Sequence, residues 1–328
     1  MRIIKNGIEK LIDKVSVSMM YFIYLRSKFG DYYIHNMKKI MLGCAFFLFG
    51  CNHWVQAQEN TEIFIFDIKI WYDQFSVSNP RNVSNHPGYY DDQPYFLPEG
   101  DSFLYSSSDD SGKTDVYVYD MRSQTSRRLT YTPEVSEYSP AITPDKKGFS
   151  CIIQEENGTQ KLWKYFINAP VASLVTDIES VGYHAWYDPD NLALFIVGDD
   201  NTLHLVNLKT GEDKTIASRI GRGLYRIPGK NQISFVNMED RKDWKIMSVD
   251  SDTHEVSEII ETLRDSQDYT WTSDGILMMG DGKKLYKYDP ANDKTWVELV
   301  DLSAFGINKF TRIALNPQVS KLAVVTEE

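Results

Sequence analysis

The sequence predicts an all-β fold, a six-bladed β-propeller with four-stranded blades. A turn rich in Pro, Asp and Gly recurs six times at intervals of about 40–50 residues, which is the period of propeller blades. The runs around each turn alternate apolar and polar residues, whereas helical repeats of this length would show a 3.6-residue stripe. The six turns align on Pro98, Pro144, Pro189, Pro228, Ser273 and Pro317.

Each repeat contains the same four elements in order. A short strand leads into the turn, where Pro, Asp and Gly supply the backbone angles of a tight reversal. A β-rich run such as "FSCII" or "LALFIV" leaves the turn. A third, alternating strand follows, as in Asp115–Asp120, Thr202–Asn207 and Lys284–Asp289. After a polar turn comes a fourth strand, such as the one that begins at Ser126.

The two ends of the chain complement each other. After the turn at Pro317 only one more strand fits before Glu328, so the last blade lacks its third and fourth strands. The segments Glu62–Lys69 and Gln74–Asn85 have the pattern of a third and a fourth strand with no preceding pair. We therefore expect the N-terminal strands to complete blade six and to close the ring, which removes an exposed sheet edge.

The N-terminal region has the pattern of a secretory signal peptide. Lys38 and Lys39 precede a short apolar run at 40–50, and a small-residue site ends at Ala57. We expect a signal peptide at 37–57, the propeller at 58–328, and a start codon assigned too early, so that 1–36 is a mis-called extension. A competing interpretation is a lipobox at 48–51, which would acylate Cys51 and tether an outer-membrane lipoprotein. Either processing route predicts export.

Composition narrows the functional classes. The net charge of −11 disfavours a nucleic-acid partner, which needs a basic face. Cys44 and Cys51 lie in the expected signal, so Cys151 remains alone in an apolar strand and is expected in the core. The sequence lacks a G-x-S-x-G elbow, an H-E-x-x-H motif, a C-x-x-C pair and a phosphate-binding glycine loop.

The repeat resembles a known family. The stretch "YSPAITPD", from Tyr138 to Asp145, and its apolar exit are similar to the TolB-type, WD40-like (PD40) β-propeller repeat of exported bacterial proteins. The resemblance covers 62–328 and implies the fold and an envelope location. TolB connects partners in the cell envelope and carries an α/β domain before its propeller, for which the expected mature chain leaves no room.

Candidate site residues follow from propeller geometry. The first strand of each blade lines the central channel, so the polar residues five to seven positions before each turn should meet at one mouth. Strand alternation suggests that one of the two nearest columns faces the channel and the other the blade interior. The candidate ligand-binding residues are Asp92, Gln93, Glu137, Tyr138, Tyr183, His184, Arg222, Asp268 and Arg312.

Two functions remain open at this point. The first is a non-catalytic, monomeric binding scaffold of the envelope that engages a protein or a small polar ligand at the channel mouth, with Tyr90, Tyr138 and Tyr183 as an aromatic rim. The second is a lactonase- or lyase-like enzyme for a sugar or sugar acid, centred on His184 and Asp268. No cofactor is expected for the scaffold, whereas a divalent cation held by channel carboxylates and His184 would favour the enzyme.

Overall fold

The structure is a computed structural model that describes residues 60–72, 74–166, 169–264 and 266–327. The expected extension, the signal peptide and Cys51 lie outside the described residues. Those described form six four-stranded antiparallel sheets and one short 3-10 helix, Leu302–Phe305. None of the helices in this part of the chain is long and apolar enough to cross a membrane.

The strands follow one another as the repeat predicts. The first two are β1 (Thr61–Trp71) and β2 (Gln74–Asn82). Blade 1 comprises β3 (Asp91–Phe96), β4 (Ser102–Ser108), β5 (Thr114–Asp120) and β6 (Thr125–Arg128). Blade 2 comprises β7 (Ser136–Ile142), β8 (Gly148–Gln154), β9 (Gln160–Phe166) and β10 (Ala169–Leu174). Blade 3 comprises β11 (Val181–Trp186), β12 (Asn191–Ile196), β13 (Thr202–Asn207) and β14 (Glu212–Ser218).

The remaining blades continue the order. Blade 4 comprises β15 (Ile220–Arg226), β16 (Gln232–Asn237), β17 (Lys245–Asp250) and β18 (Val256–Glu261). Blade 5 comprises β19 (Tyr269–Trp271), β20 (Leu277–Asp281), β21 (Lys284–Tyr288) and β22 (Val297–Asp301). The last two strands are β23 (Phe310–Leu315) and β24 (Lys321–Glu327), and blade 6 has the order β2-β1-β24-β23.

The predicted closure of the ring is confirmed. Strand β1 pairs antiparallel with β24 from Thr61 opposite Glu327 to Asp67 opposite Lys321. The two ends of the described chain are thus joined by a continuous ladder of backbone hydrogen bonds. Because β24 is paired on both sides, the C-terminal strand leaves no open edge.

The repeated turn has a local physical cause. In blade 2 the Thr143 hydroxyl donates to the Asp145 carboxylate over 2.7 Å and accepts from the backbone N–H of Gly148. In blade 5 Thr272 makes the equivalent hydrogen bond to Asp274 over 2.5 Å. The Thr and Asp side chains therefore take up turn donors and acceptors that the ladder leaves unpaired.

The apolar core lies between neighbouring blades. One cluster joins blades 3 and 4 through buried Leu203, Ile220 and Phe235. A second joins blades 5 and 6 through Phe66 and Leu285. The predicted core position of Cys151 is confirmed, because its side chain is fully buried and burial raises the pKa of its thiol well above the usual value. Each blade is therefore stabilised mainly by its two neighbours.

Candidate functional site

A network of five side chains crosses the channel. Arg312, on β23, donates from Nε to Asp92 of β3 over 3.0 Å and from Nη2 to the Tyr183 hydroxyl of β11 over 2.9 Å. Since β11 belongs to blade 3 and β23 to blade 6, this side chain links opposite sides of the ring. Its Nη1 also lies 3.8 Å from Asp268, immediately before β19.

A second arginine completes the network. Arg222, on β15, donates from Nε and Nη2 to the two oxygens of Asp268 over 2.7 and 2.5 Å, which is the bidentate geometry that suits a guanidinium and a carboxylate. We call Asp92, Tyr183, Arg222, Asp268 and Arg312 the channel network. Two positive charges are matched by two negative ones, so its formal charge is zero.

The charged groups of the network are mostly buried, so their mutual attraction is weakly screened by water. The side chains of Arg312 and Asp92 are 15 % and 9 % exposed. Burial alone would lower the pKa of Arg312, but Asp92, with Tyr183 and Asp268, holds it well above the usual value. The pKa of Arg222 is likewise raised, because Asp268 outweighs its desolvation. Both guanidinium groups therefore stay charged and paired.

The network draws on both predicted columns, where alternation suggested one. Asp92, Tyr183 and Arg222 lie six positions before their turns, but Asp268 and Arg312 lie five before theirs. Two of the inner strands are irregular at these positions: the register of β3 shifts between Asp92 and Tyr95, and that of β23 shifts between Phe310 and Ile313. A strict two-residue alternation does not hold across such a shift.

Beside the network, the side-chain amides of Gln93, which is one of the candidates, and of Gln267 link neighbouring blades. The Gln93 side-chain oxygen accepts from the backbone N–H of Ser139 over 2.6 Å, which links blade 1 to blade 2. The Gln267 oxygen accepts from the backbone N–H of Arg222 over 2.9 Å, which links blade 5 to blade 4. Gln93 and Ser139 both have positive φ, at 61° and 53°, so these bonds hold bulged backbone in place.

A cavity of about 290 Å³ extends from the network along the channel. Its lining continues toward the ends of the inner strands rather than their starts. The wall beyond the network contains the apolar or aromatic residues Pro94, Tyr95, Pro140, Ala141, Ile142, Ala185, Trp186, Leu224, Tyr225 and Ile313. Tyr95 is 37 % exposed and Arg226 is also exposed, so both are reachable from solvent.

The sequence reasoning missed this wall, although a signal was present. Tyr95, Ala141, Trp186 and Tyr225 each lie three positions before their turn, in the column that strand alternation places two residues beyond the five-back one. All nine candidates lie five to seven positions before their turns, which is one strand period short of this lining.

His184 lines the cavity, but its Nε2 contacts another side chain of the protein. It is 8 % exposed, its Nε2 lies 2.7 Å from the Ser150 hydroxyl, and burial lowers its pKa to about 3. Trp186 of blade 3 also donates to Ser150 of the neighbouring blade 2, over 3.0 Å. Blade 5 repeats the arrangement around Ser234 of blade 4, which accepts from Tyr269 and Trp271 over 2.8 and 2.9 Å. The contact between His184 and Ser150 therefore links blade 3 to blade 2.

Glu137 and Tyr138 lie away from the cavity lining. The Glu137 carboxylate is buried and accepts from Tyr165 over 2.5 Å and from Thr132 over 3.1 Å. Burial raises its pKa above the usual value. Tyr138 packs edge-on against Tyr90, with ring centroids 6.1 Å apart. The structure therefore brings seven of the nine candidates to the cavity or its network and leaves these two outside; a ligand-binding role for any of them stays a prediction.

The carboxylates expected to hold a cation have other partners. Asp92 and Asp268 are both hydrogen-bonded or ion-paired to arginine, and Glu137 lies elsewhere. Within the described ranges, no group of three or more His, Cys, Asp or Glu residues is placed to hold a metal ion.

Comparisons with known proteins place the fold. No protein-family model matches the sequence, and no curated protein matches it. The putative TolB from Agrobacterium tumefaciens aligns with 83 % of this chain and 99 % of its own, at 14 % identity and a TM-score of 0.62. The alignment with TolB from Acinetobacter baumannii covers 82 % of this chain and 64 % of the TolB chain, at 12 % identity and a TM-score of 0.52. The fold is a TolB-like β-propeller.

The same architecture also occurs in an enzyme. A gluconolactonase from Xanthomonas campestris aligns with 73 % of this chain and 86 % of its own, at 9 % identity and a TM-score of 0.54. Identities this low relate the folds alone, and one fold can carry many functions. The function must therefore be argued from the channel.

Proposed function

We propose that this chain is an exported, non-catalytic β-propeller scaffold of the bacterial cell envelope that binds a protein or a small polar ligand in its central channel. The observation that carries the proposal is the cavity of about 290 Å³ next to a charge-balanced network. Pockets of this kind combine apolar walls with a few fixed polar groups, and they bind by shape and hydrogen bonding.

The network favours a neutral polar group as the bound chemistry. Asp92 and Asp268 already balance the charges of Arg222 and Arg312, so a charged ligand would gain no net attraction. Each guanidinium nevertheless has five N–H donors, and the internal partners of Arg312 do not use them all. Amide or hydroxyl oxygens of a ligand, held between Tyr95 and Trp186, would match this arrangement.

The alternative, an enzyme for a sugar or sugar acid, receives less support. Its proposed centre needs His184 to exchange a proton near neutral pH, yet burial lowers the pKa of that imidazole to about 3. Asp268, its other member, accepts two hydrogen bonds from Arg222. The scaffold proposal includes three further points. The chain acts as a monomer, it needs no cofactor, and it is exported by one of the two signal routes.

The test is an in-cell crosslinking pull-down from the envelope fraction. The wild-type protein is compared with a Tyr95→Ala/Arg226→Ala variant, which alters exposed channel residues and spares the network. The control variant Tyr131→Ala changes a tyrosine that is 74 % exposed and does not line the cavity. Capture by the wild type and the control, with loss in the channel variant, supports the proposal. Equal capture by all three contradicts it.

A further inference from the structure

The hairpin that joins β1 to β2 differs from the equivalent hairpins of other blades. In blades 1, 3, 4 and 5 the third strand ends in a polar turn whose side-chain oxygen accepts backbone N–H groups. The accepting residues are Asp120, Asn207, Asp250 and Asp289. In blade 6 the end of the hairpin carries Ile70 and Trp71, the last two residues of β1, followed by Tyr72. Large apolar and aromatic side chains thus extend to the end of this hairpin.

This hairpin projects beyond its blade. Strand β1 pairs with β24 as far as Asp67, and the backbone N–H of Ile68 still donates to Ser320 over 2.8 Å, so that only Lys69 to Trp71 pair with β2 alone. At about 3.3 Å per residue, this two-stranded part extends roughly 10 Å. Ile70, Trp71 and Tyr72 are 55 %, 63 % and 87 % exposed. Such a two-stranded ribbon is marginally stable in water unless something supports it.

The base of the ribbon is firmly held. Asp67 accepts from Asn79 over 2.7 Å and pairs with Lys321 of β24. Burial would raise the pKa of Asp67, but these two partners lower it overall, so the carboxylate stays charged. Ile68 is buried in the core between blades 5 and 6, with Phe75 packed against that core. The ribbon therefore presents its apolar end from a fixed position.

A groove lies between the ribbon and the outer strand of blade 5. Its volume is about 670 Å³. On the ribbon side it is lined by Lys69, Trp71 and Phe75, and on the blade 5 side by Val297 and Leu299, among others. Val297 is 40 % exposed. The groove thus combines aromatic and aliphatic walls with an ammonium group.

The charges in the groove indicate the chemistry of its occupant. Lys287 pairs with Asp293 over 3.0 Å, and Glu298 pairs with Lys284 over 2.8 Å. Lys69 is exposed and is not in an ion pair with any residue that the structure describes, so its ammonium group offers a contact for a carboxylate. The whole chain carries −11, which opposes docking on an anionic lipid surface. An apolar segment with an acidic side chain complements both features.

We propose that the groove between the β1–β2 ribbon and β22 is a second binding site, which takes a segment of a partner protein that places an apolar side chain against Trp71 and a carboxylate beside Lys69. Trp71 is the anchor, since buried aromatic contacts dominate the affinity of such sites. This site lies outside the channel lining and does not depend on the function proposed for the channel.

The test uses a phage-displayed library of short linear peptides selected on the purified full chain. The best peptide is labelled with fluorescein and its affinity is measured by anisotropy. We expect the selected peptides to combine an apolar residue with Asp or Glu. Trp71→Ala and Lys69→Glu should each weaken binding at least about tenfold, while the control Tyr131→Ala leaves it within about twofold. A peptide with its acid changed to Lys should prefer Lys69→Glu over the wild type.

Several results would overturn the proposal. One is a selection with no enrichment, and another is a selected peptide whose affinity is the same for the wild type and Trp71→Ala. A wild-type dimer that Trp71→Ala dissociates would make a second copy the occupant. Trp71-dependent binding to vesicles of anionic phospholipid would assign the ribbon to a membrane surface instead.

Discussion

Removal of the Arg312 guanidinium is the sharpest perturbation of the channel network. Arg312→Met keeps much of the side-chain volume but deletes the bonds to Asp92 and Tyr183. Asp92, only 9 % exposed, then loses its cationic partner, whereas Asp268 keeps both bonds from Arg222. Breaking a buried pair by removing one member costs about 3–5 kcal/mol. In a domain of this size that lowers the melting temperature by roughly 6–20 °C.

The assay is a pair of double-mutant cycles read by urea unfolding. In an Asp92→Asn background the carboxylate charge is gone, so Arg312→Met should cost less by about 1–3 kcal/mol. In an Asp268→Asn background the saving should be smaller, because Asp268 lies 3.8 Å from Arg312 and is held mainly by Arg222. A cost of Arg312→Met below about 1 kcal/mol would refute the reasoning, as would stronger coupling to Asp268 than to Asp92.

Three further predictions concern other parts of the ring. Burial, aided by Glu62, raises the pKa of Asp91 to about 6. The folded state therefore holds a proton that the unfolded state releases, so this carboxyl makes the protein less stable as the pH rises from about 4 to 6. Asp91→Asn should gain stability relative to the wild type over that range in urea titrations, and a difference independent of pH would contradict this. His184 should remain neutral from pH 5 to 8, with no titration of its ring proton shifts in NMR spectra; a midpoint near 6.5 would place it in contact with water. Phe66→Ala should cost about 3–5 kcal/mol, because it opens a void where blades 5 and 6 meet; a loss below about 1 kcal/mol in thermal unfolding would show that the ring is not closed there.

The architecture could be predicted from sequence because its signals are local and repeated. The third strand of blade 3 was bounded at Thr202–Asn207, as found, since alternation ends at a polar turn on both sides. The closure of blade 6 followed from two unpaired strand patterns at one end of the chain and two missing strands at the other. Periodicity and turn chemistry carry this information without knowledge of distant contacts.

The site was less predictable because it depends on register and on contacts between blades. The register of β3 shifts after Asp92, and no residue type near Asp92 indicates this shift. The sequence gives no sign that the His184 imidazole has a partner, because that partner, Ser150, lies in another blade. Glu137 starts an inner strand as expected, but its carboxylate turns to Tyr165. The sequence pattern also does not predict the ribbon, because it ends the strand at Lys69, whereas β1 continues to Trp71.

The central claim is that the channel cavity is where this propeller binds. The most direct measurement replaces Tyr95 with a photo-crosslinking amino acid in cells and identifies the adduct by mass spectrometry, with the same replacement at Tyr131 as the control. We predict a discrete adduct, either a protein or a small molecule, at position 95 and none at position 131. Equal labelling at both positions, or labelling at 131 alone, would contradict a binding site in the channel.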